Sequence, residues 1–162
     1  MDVQAWMDQC DAAVTAAIRR FGWHISYVGG ACSCPRCSNV DDGPTFAYTV
    51  GMFGLGHPEL LIFSVTPETA LAVINQLGDR IVRGETLLPG FETIVDGFEP
   101  RIVPEVVPNA GEIVFDANLF YDRPPGFSVP LLQLTYADAA DRFPWEAEYA
   151  GPHQPRPGTF SA

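Results

Sequence analysis

The chain has 162 residues, enough for one hydrophobic core and too few for two of ordinary size. Apolar residues make up 47 % of it and charged residues 18 %, a balance that excludes a disordered polyelectrolyte. Its 20 carboxylates face 9 basic residues, all arginine, for a formal net charge of -11, which repels a polyphosphate backbone and argues against direct nucleic-acid binding.

Val3, Met7, Cys10, Val14, Ala17, Ile18 and Phe21 recur at three- and four-residue steps and predict an amphipathic helix with these residues, Cys10 included, on its buried stripe. Asp2, Asp8 and Asp11 precede the first basic residue, the reverse of a secretory leader, so a cytoplasmic protein is expected. The longest apolar stretch, around Leu60 to Val65, is far short of the roughly 20 residues that span a bilayer, and no membrane partner is expected.

Gly22 ends the helix, and Trp23, Ile25 and Tyr27 alternate with more polar neighbours as in a half-buried strand. Residues 29–44 are mostly Gly, Pro, Ser, Asp and Cys and read as a Cys-rich loop. Phe46 to Met52 and Leu60 to Val65 follow as two neighbouring strands, joined by a turn-prone segment. Thr66-Pro67-Glu68 is a helix start: a hydroxyl for an orphan N–H, a proline at the first helical position, and a carboxylate for the dipole. Ala70, Ile74, Leu77 and Ile81 give that second helix its core stripe, and Gly84 closes it. Glu92 to Asp96, Arg101 to Val107 and Leu131 to Tyr136 read as further strands, and Ile113 to Tyr121 as a short helix. Residues 143–162, aromatic and Pro-rich, lack either periodicity and are expected to wrap the surface. The fold class is α+β: one domain over residues 1–162, a mixed or mainly antiparallel sheet packed against two main helices.

Phe46-Ala-Tyr-Thr-Val-Gly51, His57-Pro-Glu-Leu-Leu-Ile-Phe63 and a helix holding Asn75 and followed by Arg83-Gly84 occur in that order, with Leu132-Gln-Leu134 and Arg142-Phe-Pro-Trp-Glu146 later. In these blocks the chain, from about Trp23 to about Pro155, resembles a bacterial family known only as domain of unknown function 4262. The resemblance implies no activity, and the Cys-rich loop is not part of the family pattern.

Three constellations could carry chemistry. Cys32, Cys34 and Cys37 are spaced to meet one soft metal ion, so zinc is the candidate cofactor, with His24 preferred as fourth ligand and His57, Asp41 or Asp42 behind it; free or oxidised thiols are the alternative. His57 and Glu59, with Tyr48 on the preceding strand, are candidate catalytic residues for acid–base work; the alternative is a turn shaped by His57 and a strand capped by Glu59. Asp138 and Asp141, near Arg142, Phe143 and Trp145, could line a pocket for a cation or small ligand, or the aromatics could pin the tail. The leading expectation is a module that binds a protein or small molecule and carries a zinc loop. The alternatives are a small enzyme, metal-assisted or not, with its site near residues 48–59, and a flavin-binding split barrel.

Overall fold

The computed structural model describes residues 2–30 and 43–162. Five-residue runs of aromatic and branched side chains make β2 (Phe46–Val50) and β3 (Glu59–Phe63), and every position in both is buried. Strands buried on both faces read as continuous apolar runs, which is why these two show no in-and-out alternation. β1 (His24–Val28) pairs antiparallel with β2, and β2 antiparallel with β3.

From β3 the chain passes through α2 (Pro67–Val82), makes the antiparallel pair β4 (Thr93–Val95) and β5 (Phe98–Val106), and returns as β6 (Leu131–Tyr136). β6 lies parallel to β3 and antiparallel to β5, giving one six-stranded mixed sheet in the order β1-β2-β3-β6-β5-β4. The result is the α+β architecture the sequence predicts. The sheet is open, with β1 and β4 at its two edges, so the split-barrel reading gains no support from it.

One face is covered by α2. Thr66 caps it by accepting the Thr69 N–H at 3.2 Å, with Pro67 next in line. Ala70, Ile74, Leu77 and Ile81 are buried as their spacing predicts, joined by Val73 and Gly78. They pack on Ala47, Leu60, Ile62, Leu132 and Leu134, and full burial of each large side chain contributes roughly 1.5–3 kcal/mol. Trp23 lies against this helix at Gly78, its indole N–H donating to the Asn75 carboxamide at 3.1 Å.

On the other face Phe46, Tyr48, Leu61 and Phe63 lie beneath α3 (Phe115–Phe120) and Phe160 of the C-terminal segment. The polypeptide after β6 is tied to the sheet by polar bonds. The Gln154 amide exchanges two hydrogen bonds with the Tyr136 backbone, at 3.0 and 2.8 Å, and Gln133 donates to the Pro155 carbonyl at 2.8 Å.

α1 (Val3–Phe21) departs from expectation in an informative way. The helix is present, with Asp2 as N-cap and Gly22 closing it at φ 95°, but none of its residues is buried. Val14 and Ile18 rest on the second core, whereas Val3, Trp6 and Met7 are exposed. Cys10, placed on the buried stripe by periodicity, is also exposed. Periodicity identifies an apolar stripe but cannot say how much of its length meets the body. Among the described residues, no helix is long and apolar enough to cross a membrane.

Candidate functional site

The residues singled out in the sequence occupy separate environments. Glu59 is fully buried, and its carboxylate accepts the Thr49 hydroxyl and the backbone N–H groups of Gly51, Met52 and Phe53. Burial pushes its pKa up, and these four donors oppose the shift. One donor is in β2 and three are in the β2–β3 connection, which the carboxylate holds in place.

His57 is buried on the same connection with both ring nitrogens engaged. Nε2 accepts the Leu87 N–H at 3.1 Å, and Nδ1 lies 2.8 Å from the Pro58 carbonyl. An N–H only donates and a carbonyl only accepts, so the hydrogen-bond partners require the Nδ1-protonated tautomer. The imidazole fastens the segment after α2 to the turn before β3.

Tyr48 projects into the other core, where its hydroxyl accepts the Asp116 N–H at 3.2 Å; burial holds its pKa well above the ordinary range. The structure therefore gives His57 and Glu59 neighbouring structural tasks and Tyr48 a third, rather than one shared cavity.

The carboxylates near the C-terminus are similarly committed. Asp138 accepts the N–H groups of Ala150, Arg142 and Ala140, which hold its pKa below the usual range. Asp141 pairs with Arg101. Phe143 and Trp145 stack in parallel at 4.5 Å, with the Arg101 guanidinium 5.2 Å from the Phe143 centroid and that of Arg156 5.0 Å from the Trp145 centroid. No guanidinium fits between rings that close, so each arginine covers an outer face and the four side chains form one ladder. Arg156 is held in turn by both oxygens of Glu105, at 2.8 and 2.6 Å. An open groove of about 810 Å³ runs beside this ladder, but its ring faces are taken and its arginines paired.

A second concavity has different chemistry. Between α1 and α3 lies a cleft of about 630 Å³, walled by Trp6, Met7, Val14, Leu119 and Phe120, with Cys10 also in its lining. Besides the Cys10 thiol, its charged and titratable groups are Asp11, His24 and Asp116, and among the described residues no arginine lines it. Asp116 is anchored there: its Oδ2 accepts the Ser26 hydroxyl at 2.8 Å while its N–H bonds Tyr48. Half-burial lowers the His24 pKa, and the nearby Asp116 charge pulls the other way. A mostly apolar cavity with a few convergent polar groups is the usual form of a ligand site.

Of the proposed metal ligands, only His24 and His57 are among the described residues, His24 in this cleft and His57 in the turn before β3; Cys32, Cys34, Cys37, Asp41 and Asp42 lie outside them. Among the described residues, no three His, Cys, Asp or Glu side chains converge to hold a metal ion.

Sequence reasoning missed Trp6, Asp116 and Phe120. Trp6 had a signal, since Val3, Trp6, Met7 and Cys10 follow the i, i+3, i+4, i+7 pattern of one helical face. Asp116 had none, because its partners Ser26 and Tyr48 stand 90 and 68 residues away.

Residues 17–150 match the family described as Domain of unknown function (DUF4262). The matched segment takes in His24, Asp116 and Phe120 and begins after Trp6, Met7, Cys10 and Asp11, so part of the cleft wall precedes it. No curated protein matches the chain. A putative SUFU (suppressor of fused protein) homolog from Neisseria gonorrhoeae FA 1090, known by crystal structure, is similar over 81 % of this chain and 79 % of its own, at 10 % identity and a TM-score of 0.40.

Proposed function

The chain belongs to the domain of unknown function 4262 family, a family defined by sequence and not by a reaction, and on that premise we propose that it is a binding module whose α1–α3 cleft receives a ligand with an apolar body and a positive charge. The observation that carries this reading is the pairing of unfilled apolar walls with polar groups that, among the described residues, include two carboxylates and no arginine. Trp6 and Met7 are left exposed on one side, and Leu119 and Phe120 on the other. Side chains of this size gain from being covered, and the acidic groups select the charge of what covers them. Glu59 and His57, the residues most suggestive of catalysis, have hydrogen-bond partners within the fold and stand outside the cleft.

Amide chemical shifts test the proposal. Aryl-alkyl amines of fragment size are titrated into labelled protein beside carboxylates built on the same skeleton. The amines should move the resonances of residues 6–15, His24 and 116–120, and the carboxylates should not. Equal shifts from both series, or amine shifts confined to other surfaces, would remove the cleft from the account.

A further inference from the structure

We infer that the natural occupant of the α1–α3 cleft is an amphipathic helix presented by a basic partner protein. The inference rests on the reading of the cleft as a binding site and goes further by naming its ligand.

Shape is the first argument. Both walls of the cleft are helical, and in the first half of α1 the large exposed apolar side chains fall at Val3, Trp6, Met7 and Cys10. That i, i+3, i+4, i+7 spacing is the ridge into which another helix packs. Val3 is 71 % exposed and Trp6 56 %, while Val14 and Ile18 further along the same stripe already rest on the core. Among the described residues, the stripe therefore continues beyond the body of the fold. From Trp6 to Thr15 the α1 wall of the furrow measures about 14 Å at 1.5 Å per residue, room for about two and a half helical turns. Leu119 and Phe120 of α3 supply the facing ridge. A tryptophan between such ridges is the residue type most often found to dominate binding energy.

Charge is the second argument. Asp11 and Asp116 flank the furrow, Asp2 stands at the head of α1, and the basic residues of α1, Arg19 and Arg20, are in its last turn. Arg123 just past α3 is engaged elsewhere, its guanidinium over the Phe53 ring and its Nε–H donating to the Phe127 carbonyl. An apolar furrow with an acidic border fits a helix whose apolar stripe is edged by lysine or arginine. The net charge of -11 steers such a partner from a distance, and it opposes a second copy of this chain carrying the same charge.

The test uses the whole chain and a synthetic peptide of about 16 residues, long enough for the furrow yet largely unfolded when free. Leucine and alanine occupy the i, i+3, i+4, i+7 positions and arginine the flanks; one control scrambles the order and another replaces arginine by glutamate. The expected result is calorimetric binding of the basic amphipathic peptide with a gain in helical circular dichroism, and at least tenfold weaker binding of both controls. Trp6→Ala and Asp11→Asn, both at exposed positions of α1, should each weaken binding several-fold while leaving the melting temperature of the free protein in place.

Equal binding of the scrambled peptide, or binding without added helix, would overturn the inference. If amines occupy the cleft and no peptide does, the helix is wrong and the small-ligand reading stands; if neither does, both readings fail. Self-association lost in Trp6→Ala, seen by sedimentation, would make a second copy the occupant and equally defeat the proposal.

Discussion

The Thr49 hydroxyl donates to the Glu59 carboxylate at 2.5 Å and accepts the Leu60 N–H at 2.9 Å, so one side chain joins a buried charge to the ladder of the neighbouring strand. Together with the N–H groups of Gly51, Met52 and Phe53, it makes Glu59 the anchor of the β2–β3 connection. Glu59→Gln keeps the size but turns an NH₂ group toward N–H donors, so one bond becomes a conflict in a fully buried place. The expected loss is about 3 kcal/mol, which for a chain of this length lowers the melting temperature by about 6–12 °C. Calorimetry checks it, and a variant as stable as the parent would show that the connection holds without this carboxylate.

His57→Ala removes the acceptor for the Leu87 N–H, leaves the Pro58 carbonyl without the imidazole and opens a cavity. A loss of about 2–4 kcal/mol in denaturant unfolding is expected. Ligand binding at the α1–α3 cleft should be unchanged wherever the variant remains folded. Loss of binding with stability retained would return His57 to the list of functional residues.

How far such roles can be read from sequence depends on the range of the interaction. The Thr66-Pro67-Glu68 start and the Ala70, Ile74, Leu77, Ile81 stripe are local signals, and the structure reproduces them. The pairing of β3 with β6 joins segments about 70 residues apart and leaves no local trace beyond two apolar runs. His57-Pro58-Glu59 showed the right residue types for acid–base chemistry, but type alone cannot reveal that every lone pair and proton already has a partner. The cleft was legible only in its α1 wall, because Asp116 and Phe120 become its neighbours through the fold.

Asp138 provides the pH-dependent prediction. Its three backbone donors, Ala150 first, favour the ionised form and lower its pKa in the folded state. A lowered carboxyl contributes stability above its ordinary unfolded value, about pH 4, and the contribution is lost as pH falls through the depressed folded value. Melting temperatures measured from pH 7 down to pH 2 should therefore drop along an acid limb that is shallower in Asp138→Asn. Parallel limbs in the two proteins would mean that other carboxylates govern acid unfolding.

For the thiols of Cys32, Cys34 and Cys37 the proposal remains zinc, on their spacing alone. Elemental analysis of freshly purified protein should find about one zinc per chain, and a chelator should then lower the melting temperature. Absence of metal together with freely reactive thiols would make this a reduced cysteine cluster without a structural ion.

Gly78 lies inside α2, where alanine ordinarily improves a helix by about 1 kcal/mol. Here the sign should reverse. A Cβ at this position would stand 2.6 Å from Cζ2 of Trp23 and 2.8 Å from two further ring atoms. The indole cannot simply swing aside, because its N–H is bonded to Asn75 and the ring is packed in the core beneath the helix. Gly78→Ala is therefore expected to destabilise by about 1–3 kcal/mol and to alter Trp23 fluorescence, through displacement of the ring or of the helix. Combining it with Trp23→Phe should cost less than the sum of the two single changes, since the smaller ring vacates the space the methyl needs. Strict additivity would place the origin of the loss in the helix backbone and not in the contact with Trp23.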